Sequence, residues 1–395
     1  MKESWDAVVA GAGPAGALAA RGLSQRGRRV LLVDRQRFPR PKVCGCCLNR
    51  YALSSLDAAG LGGLAERLGA RPLGRLTMIA GGRSASIELP RGVSLSREAL
   101  DTSLTDAAIE AGCTFRDGVS AKVRRLGTDA EDGHELLLGR EVIARTKVLV
   151  VADGLGGSAL SDVPGFGVVS KPASRIGFGG QASTRRSGVA IPDGTIAMAC
   201  GRRGYLGAVR LEDGRLDFAA AVDAAAVREA GGPAGAAARV LEEAGIDPGN
   251  WPLDGVGRWR VSPTLTRTRS RLAGPGLFVV GDAAGYVEPF TGEGMAWAIA
   301  GGVAVAAVAD RAVDGWLPEQ EVAWEHAFRG RVRRRQAGCR WVAATLRRPR
   351  LTRSVVRVLS VAPRLAAPLV GRITRPARGG LTHPPGPASR PGAYA

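Results

Sequence analysis

The chain has 395 residues, enough for two or three structural units, and its 45% apolar content is ordinary for a globular protein with a sizeable core. The net charge of +19 suggests a polyanionic partner, but the distribution excludes a generally basic surface. From His326 onward there are 16 Arg and no Lys, Asp or Glu, which leaves the first 325 residues close to neutral.

The six Cys, three of them clustered at Cys44, Cys46 and Cys47, do not read as a disulfide framework. No signal-peptide pattern precedes the first glycines, so a cytoplasmic location is expected. The longest apolar run, Met295–Ala309, is shorter than the roughly 20 residues a membrane span needs.

Taken in chain order, Trp5–Ala10 reads as a short buried strand that leads into Gly11-Ala12-Gly13-Pro14-Ala15-Gly16. A helix from Ala15 to about Arg26 follows, ends at Gly27, and gives way to a strand over Arg29–Val33 that stops at Asp34. This is one βαβ unit with a dinucleotide-binding fingerprint. Gly11 permits the tight turn, Gly13 lets the backbone approach a pyrophosphate, and Gly16 lets the helix pack on the strand. The helix start, with Pro14 and Ala15 in it, offers free N–H groups and a positive dipole end to phosphate. Asp34, 23 positions after Gly11, is placed to accept hydrogen bonds from the adenosine ribose, and Arg35 beside it is assigned to the same site.

Short strands are expected at Leu76–Leu89, and an amphipathic helix over Ser96–Gly112 with Leu100, Leu104, Ala107, Ala108 and Ala111 on one side. Strands follow in Thr114–Leu126 and Glu135–Leu138, and a buried parallel-type strand over Lys147–Ala152 closes at Asp153-Gly154. Between residues 171 and 262 the pattern changes to short alternating runs. Tyr205–Leu211 and Arg215–Val222 flank the turn Glu212-Asp213-Gly214, which predicts an antiparallel sheet. Leu277–Val280 is a further strand before Gly281-Asp282-Ala283-Ala284-Gly285 and a helix over Glu293–Ala309. After Pro318 the chain is helical and Arg-rich, and Arg378 to Tyr394 has a disordered composition.

The second glycine motif distinguishes FAD from NAD. Asp282 at a strand end can bind a ribitol hydroxyl of an extended flavin nucleotide. The turn Pro289-Phe290-Thr291-Gly292-Glu293-Gly294-Met295 opens a helix whose amides can face the flavin N1 and O2 edge. With no second G-x-G-x-x-G, a pyridine nucleotide has no Rossmann domain of its own. Either NADPH or NADH visits the flavin transiently, or electrons come from a partner protein or quinol. No ligands stand at zinc spacing and there are only three His, so no metal is expected.

Gly11–Gly16, Val151-Ala152-Asp153-Gly154 and Gly281–Gly285 together resemble the three fingerprints of the p-hydroxybenzoate-hydroxylase-like flavoproteins. The finer resemblance is to the geranylgeranyl reductase branch. Phe38-Pro39-Arg40-Pro41-Lys42-Val43-Cys44-Gly45 resembles its F-P-R-x-K-x-C-G, and Gly281 to Met295 resembles its G-D-A-A-G-x-x-x-P-x-T-G-E-G-I. Arg97 and Asp101 match an R-x-x-x-D helix start whose Arg contacts FAD in the family.

The resemblance implies that Cys44, Gly45 and Cys46 pass close to the flavin ring. There a Cys44 or Cys46 thiol either donates a proton after hydride transfer or packs as a small side chain. Tyr205 is either a substrate-facing hydroxyl or a core ring, and Glu293 reads as a dipole-stabilised acid at a helix start.

Three departures stand out. Ser158 is followed by Ala159-Leu160 where the family has Arg. Tyr205-Leu206-Gly207-Ala208-Val209-Arg210 keeps only the Tyr of Y-x-W-x-F-P. The halogenase element W-x-W-x-I-P does not occur.

The expected fold is thus α/β. A discontinuous Rossmann-type FAD-binding domain occupies 1–75, 96–170 and 263–325, and an antiparallel β-sheet substrate domain 76–95 and 171–262. A basic helical segment spans 326–377, followed by a disordered tail over 378–395. The expected function is FAD-dependent reduction of a C=C bond in a hydrophobic substrate. The alternatives are an NAD(P)H-dependent monooxygenase acting on an aromatic or polyketide substrate, and a non-catalytic flavin electron carrier. For the Arg-rich C-terminus, a solvated helical cover and contact with an anionic membrane surface both stand, ahead of nucleic acid, which lacks an aromatic stacking series.

Overall fold

The computed structural model describes residues 3–120, 122–125, 133–183, 191–290 and 292–376. The tail expected to be disordered, Thr291, and both Ala121 and Leu126 of the Thr114–Leu126 reading lie outside the described residues.

The first strand, Ser4–Ala10, is the centre of a parallel sheet. It pairs with Val30–Val33 on one side and Glu141–Val151 on the other, and Leu277–Val279 and Thr114–Arg116 extend the sheet outward. Strands buried on both faces are apolar throughout, as in Val30-Leu31-Leu32-Val33. The chain runs outward from Ser4–Ala10 in one direction, then returns to its other side with Glu141–Val151. The order therefore reverses beside the first strand, at the place where open α/β sheets form their crevice.

Two helices seal one face. Pro14–Ser24 starts with Pro in its first turn, and Glu293–Asp314 packs along it. Small residues permit the close crossing: a Cβ on Gly302 would stand 2.3 Å from the Ala15 carbonyl oxygen. Glu293–Asp314 has 22 residues, longer than the Met295–Ala309 run, and is apolar and long enough to cross a bilayer by length and composition. Here it is a core helix, with Ile299, Val305 and Ala309 fully buried.

The second sheet has eight strands in the order 260–264, 176–182, 216–222, 204–210, 195–200, 71–80, 83–94 and 47–48. The two parts expected at 76–95 and 171–262 form one continuous sheet. It departs from the antiparallel expectation at one junction, where Thr195–Cys200 pairs parallel to Arg71–Ala80. Those strands are joined by a long excursion through the first sheet, which frees the pair from hairpin geometry.

The sequence reading also missed two helices in this region, Ala224–Glu229 and Pro233–Ala244. The longer begins with Pro at its start and ends at left-handed Gly245. It covers the outer face of the sheet, where Val240 and Leu241 pack with Phe178, Leu206 and Phe218. The other face turns toward the first sheet.

The Arg-rich segment is helical: Pro318–Phe328 packs on Glu293–Asp314, Pro349–Val361 and Ala367–Thr374 lie against the hairpin of residues 71–94, and Arg334–Leu346 packs on those last two helices. Val356 is fully buried there and Leu359 partly, whereas Val358 and Leu365 face outward. The apolar side chains of this segment are thus split between two faces.

Candidate active site

A cleft of about 410 Å³ opens between the two sheets. Its lining includes Gly11, Gly13 and Pro14 from the first turn and Asp282, Pro289, Gly292, Gly294 and Met295 from the last. Two loops some 270 residues apart in sequence thus share one groove.

At the dinucleotide end the three glycines divide by role. A Cβ on Gly11, which has φ 107°, would lie 2.3 Å from the Ala152 carbonyl oxygen, and one on Gly16 would lie 1.7 Å from the Gly11 carbonyl oxygen. Both are glycine because the folded chain leaves no room. Gly13 differs, because a Cβ there would meet only the Arg40 and Arg97 guanidiniums, at 3.7 and 3.8 Å. The protein itself does not require glycine at this position. The open cradle between backbone and two guanidiniums suits a pyrophosphate. Ala15 and Gly16 sit behind the cleft wall, and Ala15 packs on Gly281 and Gly302.

Asp34 is fixed where a ribose would end. Its Oδ2 accepts the Ala12 N–H at 2.8 Å and its Oδ1 accepts the Gln36 N–H at 2.9 Å. Arg35 also lines the cleft and donates to the Gly156 carbonyl oxygen at 3.0 Å. Arg97 donates twice to Asp101, at 2.8 and 2.7 Å, and both are buried. Arg40 Nη2 stands 3.4 Å from both Asp34 and Asp101, joining the ribose acid to the Arg97 pair. Arg40 and Lys42 were not among the expected cofactor residues. Both stand inside the Phe38–Gly45 motif, which carried the signal, as the R-x-x-x-D pattern did for Asp101.

At the flavin end Gly281 adopts φ 65°, and its Cα faces Ala15 so closely that a Cβ would come within 2.9 Å. Asp282 lies on the cleft wall with Lys42 Nζ 3.9 Å from its Oδ2. Gly292, at φ 80°, caps the start of the long helix and faces Cys47. Glu293 points away from the cleft into the protein, beside Cys339. Asp153 lines the cleft but turns back on its own loop, accepting the Ala159 N–H at 2.9 Å.

The thiols sit between the two ends. Cys44 and Gly45 line the cleft, Cys46 lies behind them at φ 51°, and all six Cys are free thiols. The Cys46 N–H donates to Cys44 Sγ at 3.4 Å. The Cys46 thiol and the Arg97 charge pull the Cys44 thiol down to about 6, against the opposing effect of burial. Burial pushes the Cys46 and Cys47 thiols upward, with Cys44 itself the first cause at Cys46.

On the opposite wall Ile196, Met198, Val209, Leu265 and Phe290 make an apolar surface. Tyr205 belongs to it, but its hydroxyl donates to the Pro289 carbonyl oxygen at 3.0 Å. Of the two readings of Tyr205, substrate-facing hydroxyl or core ring, these contacts favour the core ring: it acts as a strut that holds the 289–290 turn, edge-on to Phe290 at 5.1 Å. Arg175 braces the same turn through Glu288 at 3.0 Å.

One buried acid on this wall escaped the sequence reading. Asp217 is only 3% exposed and lines the cleft. Its signal was a carboxylate inside the expected Arg215–Val222 strand, on the alternate face from Leu216 and Phe218.

Taken together, a glycine turn, an acid at a strand end, a guanidinium cradle and a second glycine turn on one groove define an FAD-binding flavoprotein. Comparison with known proteins agrees. A family model described as "FAD binding domain" matches residues 4–166. The chain is 28% identical over 369 residues to a menaquinone reductase of Mycolicibacterium smegmatis, covering 84% of this chain and 83% of the relative. It is 27% identical over 352 residues to digeranylgeranylglycerophospholipid reductase 1 of Methanococcoides burtonii, covering 83% and 81%. Among solved structures, PqsL of Pseudomonas aeruginosa, a probable FAD-dependent monooxygenase, shares the fold at a TM-score of 0.71 and 20% identity, over 89% of this chain and 99% of PqsL. The chain carries an FAD-binding domain and is an FAD-dependent oxidoreductase, similar to reductases of the FAD-dependent flavoprotein superfamily.

Proposed function

We propose that the chain is a reductase that uses FAD to saturate a C=C bond in a hydrophobic, isoprenoid-bearing molecule. One observation carries this reading: an apolar wall and a low-pKa thiol share the groove of the nucleotide loops. The apolar wall offers Met198, Leu265 and Phe290 to a hydrocarbon chain. The naming of sequence relatives as menaquinone and digeranylgeranylglycerophospholipid reductases favours the same substrate class.

When bound, FAD supplies a hydride. The chain's residues do the rest. Gly11, Gly13, Pro14, Arg40 and Arg97 hold the pyrophosphate, Asp34 the ribose and Asp282 the ribitol. The helix start at Gly292–Met295 presents its amides to the ring edge that gains charge. Cys44 holds the proton to be given to the substrate carbon, and the apolar wall excludes water from it. NADPH or NADH serves as transient donor.

The test is to supply substrate, NADPH and ¹⁸O₂ to the purified protein and weigh the product. A gain of two hydrogens with no label is expected. Labelled oxygen in the product would replace the reductase with the monooxygenase reading.

We further propose that the C-terminal helices rest on an anionic membrane surface, from which such a substrate would be drawn. Trp341 is 78% exposed, Val361 85% and Leu365 65%, among exposed Arg340, Arg350, Arg357 and Arg364. Exposed apolar side chains and arginines, with no acid after Glu325 in the sequence, suit lipid headgroups. Sedimentation with vesicles is expected to require anionic lipid and to be lost when Trp341 and Val361 become Ser.

A further inference from the structure

The low-pKa thiol poses a supply problem. A thiol that titrates near 6 gives its proton up easily but holds one for only a minor fraction of the time at neutral pH. A second acid has to refill it, and the cleft contains one in the right place.

Asp217 is buried, and its Oδ2 has no hydrogen-bond partner among the described residues. Its Oδ1 accepts from Gln181 Nε2 at 3.3 Å. The Gln181 orientation is fixed from behind, because Arg215 donates to Gln181 Oε1. The amide nitrogen is thereby turned toward Oδ1 and, at 3.5 Å, toward Glu98 Oε2, which leaves the unpartnered Oδ2 to carry the proton of the neutral acid. The Cys46 thiol lies beside this carboxyl and beside the Cys44 sulfur. Such an orphaned polar atom in a native cleft calls for a role.

We propose that Asp217, Cys46 and Cys44 form a proton relay in which Asp217 refills the thiol pair and the Cys44 sulfur protonates the substrate carbon. This deepens the C=C reductase reading and rests on it.

The step balances as follows. The Cys44 S–H bond breaks as a C–H bond forms on the substrate. A proton then moves from Cys46 to Cys44, and from Asp217 to Cys46, and Asp217 regains its own from water. The relay moves one proton and no electrons. The electron pair and the second hydrogen come from the pyridine nucleotide, the named reductant.

The electrostatics support a neutral Asp217. Burial and the Cys44 thiolate push its carboxyl well above the usual range, against the Gln181 hydrogen bond and the neighbouring Cys46 thiol. Glu98 pushes in the same direction. Around the thiols the charged and titratable groups include Arg97, Asp217, Tyr286 and, at Cys47, Glu293. Each loss of the Asp217 proton thus places a second negative charge beside the sulfurs.

The test measures alkylation of Cys44 by iodoacetamide against pH, resolved by peptide mass, in the FAD-loaded full chain and in Asp217→Asn. The wild type is expected to show a lower inflection near 6 and an upper one as Asp217 loses its proton. Asp217→Asn should keep the lower inflection, lose the upper one, and slow turnover by about 10²-fold, with Asp217→Glu restoring both. Superimposable alkylation profiles would overturn the relay. Should Asp217→Asn not fold, infrared titration of the wild type decides: a protonated-carboxyl band at neutral pH supports the relay, and its absence overturns it. The alkylation profile needs no substrate, so it is independent of the oxygen-label result that would end the reductase reading.

Discussion

The two walls of the cleft are built by different means. The nucleotide wall is made of backbone: glycines whose missing Cβ atoms leave contacts as short as 1.7 Å, and a strand-end acid held by main-chain amides. The opposite wall is made of side chains on alternate positions of a sheet, such as Met198, Tyr205 and Asp217. Gly11 and Gly16 tolerate almost no substitution, because a Cβ on either meets the main chain. A side-chain wall can change its ligand one residue at a time while the sheet persists. A conserved cofactor and a variable substrate can thus share one groove.

Substitutions can break or sharpen this contrast. The largest effect is expected from Gly16→Ala, whose Cβ would collide with the Gly11 carbonyl. It should yield no folded, yellow protein, read by circular dichroism and visible absorbance. Arg97→Ala removes both hydrogen bonds to buried Asp101, leaving it only the Arg40 guanidinium at 3.4 Å, and should lower stability by about 3 kcal/mol in denaturant unfolding. Gly13→Ala isolates the ligand's share. Because its Cβ meets only side-chain tips, Tm without FAD should not move, while FAD binds about tenfold more weakly, ~1.4 kcal/mol by titration calorimetry.

On the opposite wall, Asp217 keeps its proton to higher pH in the folded chain than in the unfolded one. The folded state then binds more protons across that interval. The acid's contribution is full below the ordinary carboxyl range and is lost as pH rises through the raised value. Unfolding across pH should show this decline in the wild type and its absence in Asp217→Asn. The smallest effect is expected for Tyr205→Phe, which removes one hydrogen bond to Pro289 and should cost about 1 kcal/mol without abolishing FAD binding.

The same contrast explains what was legible in the sequence. Gly11, Gly13, Gly16 and Asp34 stand within one βαβ unit, so their spacing reports their geometry directly. The Gly281–Met295 turn was equally readable, because it too is a strand-turn-helix. Arg40 and Lys42 reach the cleft from a loop without periodicity, and nothing local says which way their side chains point. Asp217 depends on strand register, which sets it on the cleft face while Leu216 and Phe218 pack under the unforeseen helix Pro233–Ala244. The Tyr205 hydroxyl could be assigned only once the 289–290 turn, 84 residues away, was seen to lie against it. The parallel pairing of Thr195–Cys200 with Arg71–Ala80 likewise joins segments with no local signal between them.

The most direct measurement is anaerobic flavin re-oxidation. The FAD-loaded chain is bleached with NADPH under strict exclusion of oxygen, and a prenylated quinone is added while absorbance and product mass are followed together. Recovery of the oxidised flavin spectrum, in step with a product heavier by two hydrogens, is the predicted result. A flavin that stays bleached until air is admitted would contradict a shared groove for hydride donor and hydrophobic acceptor.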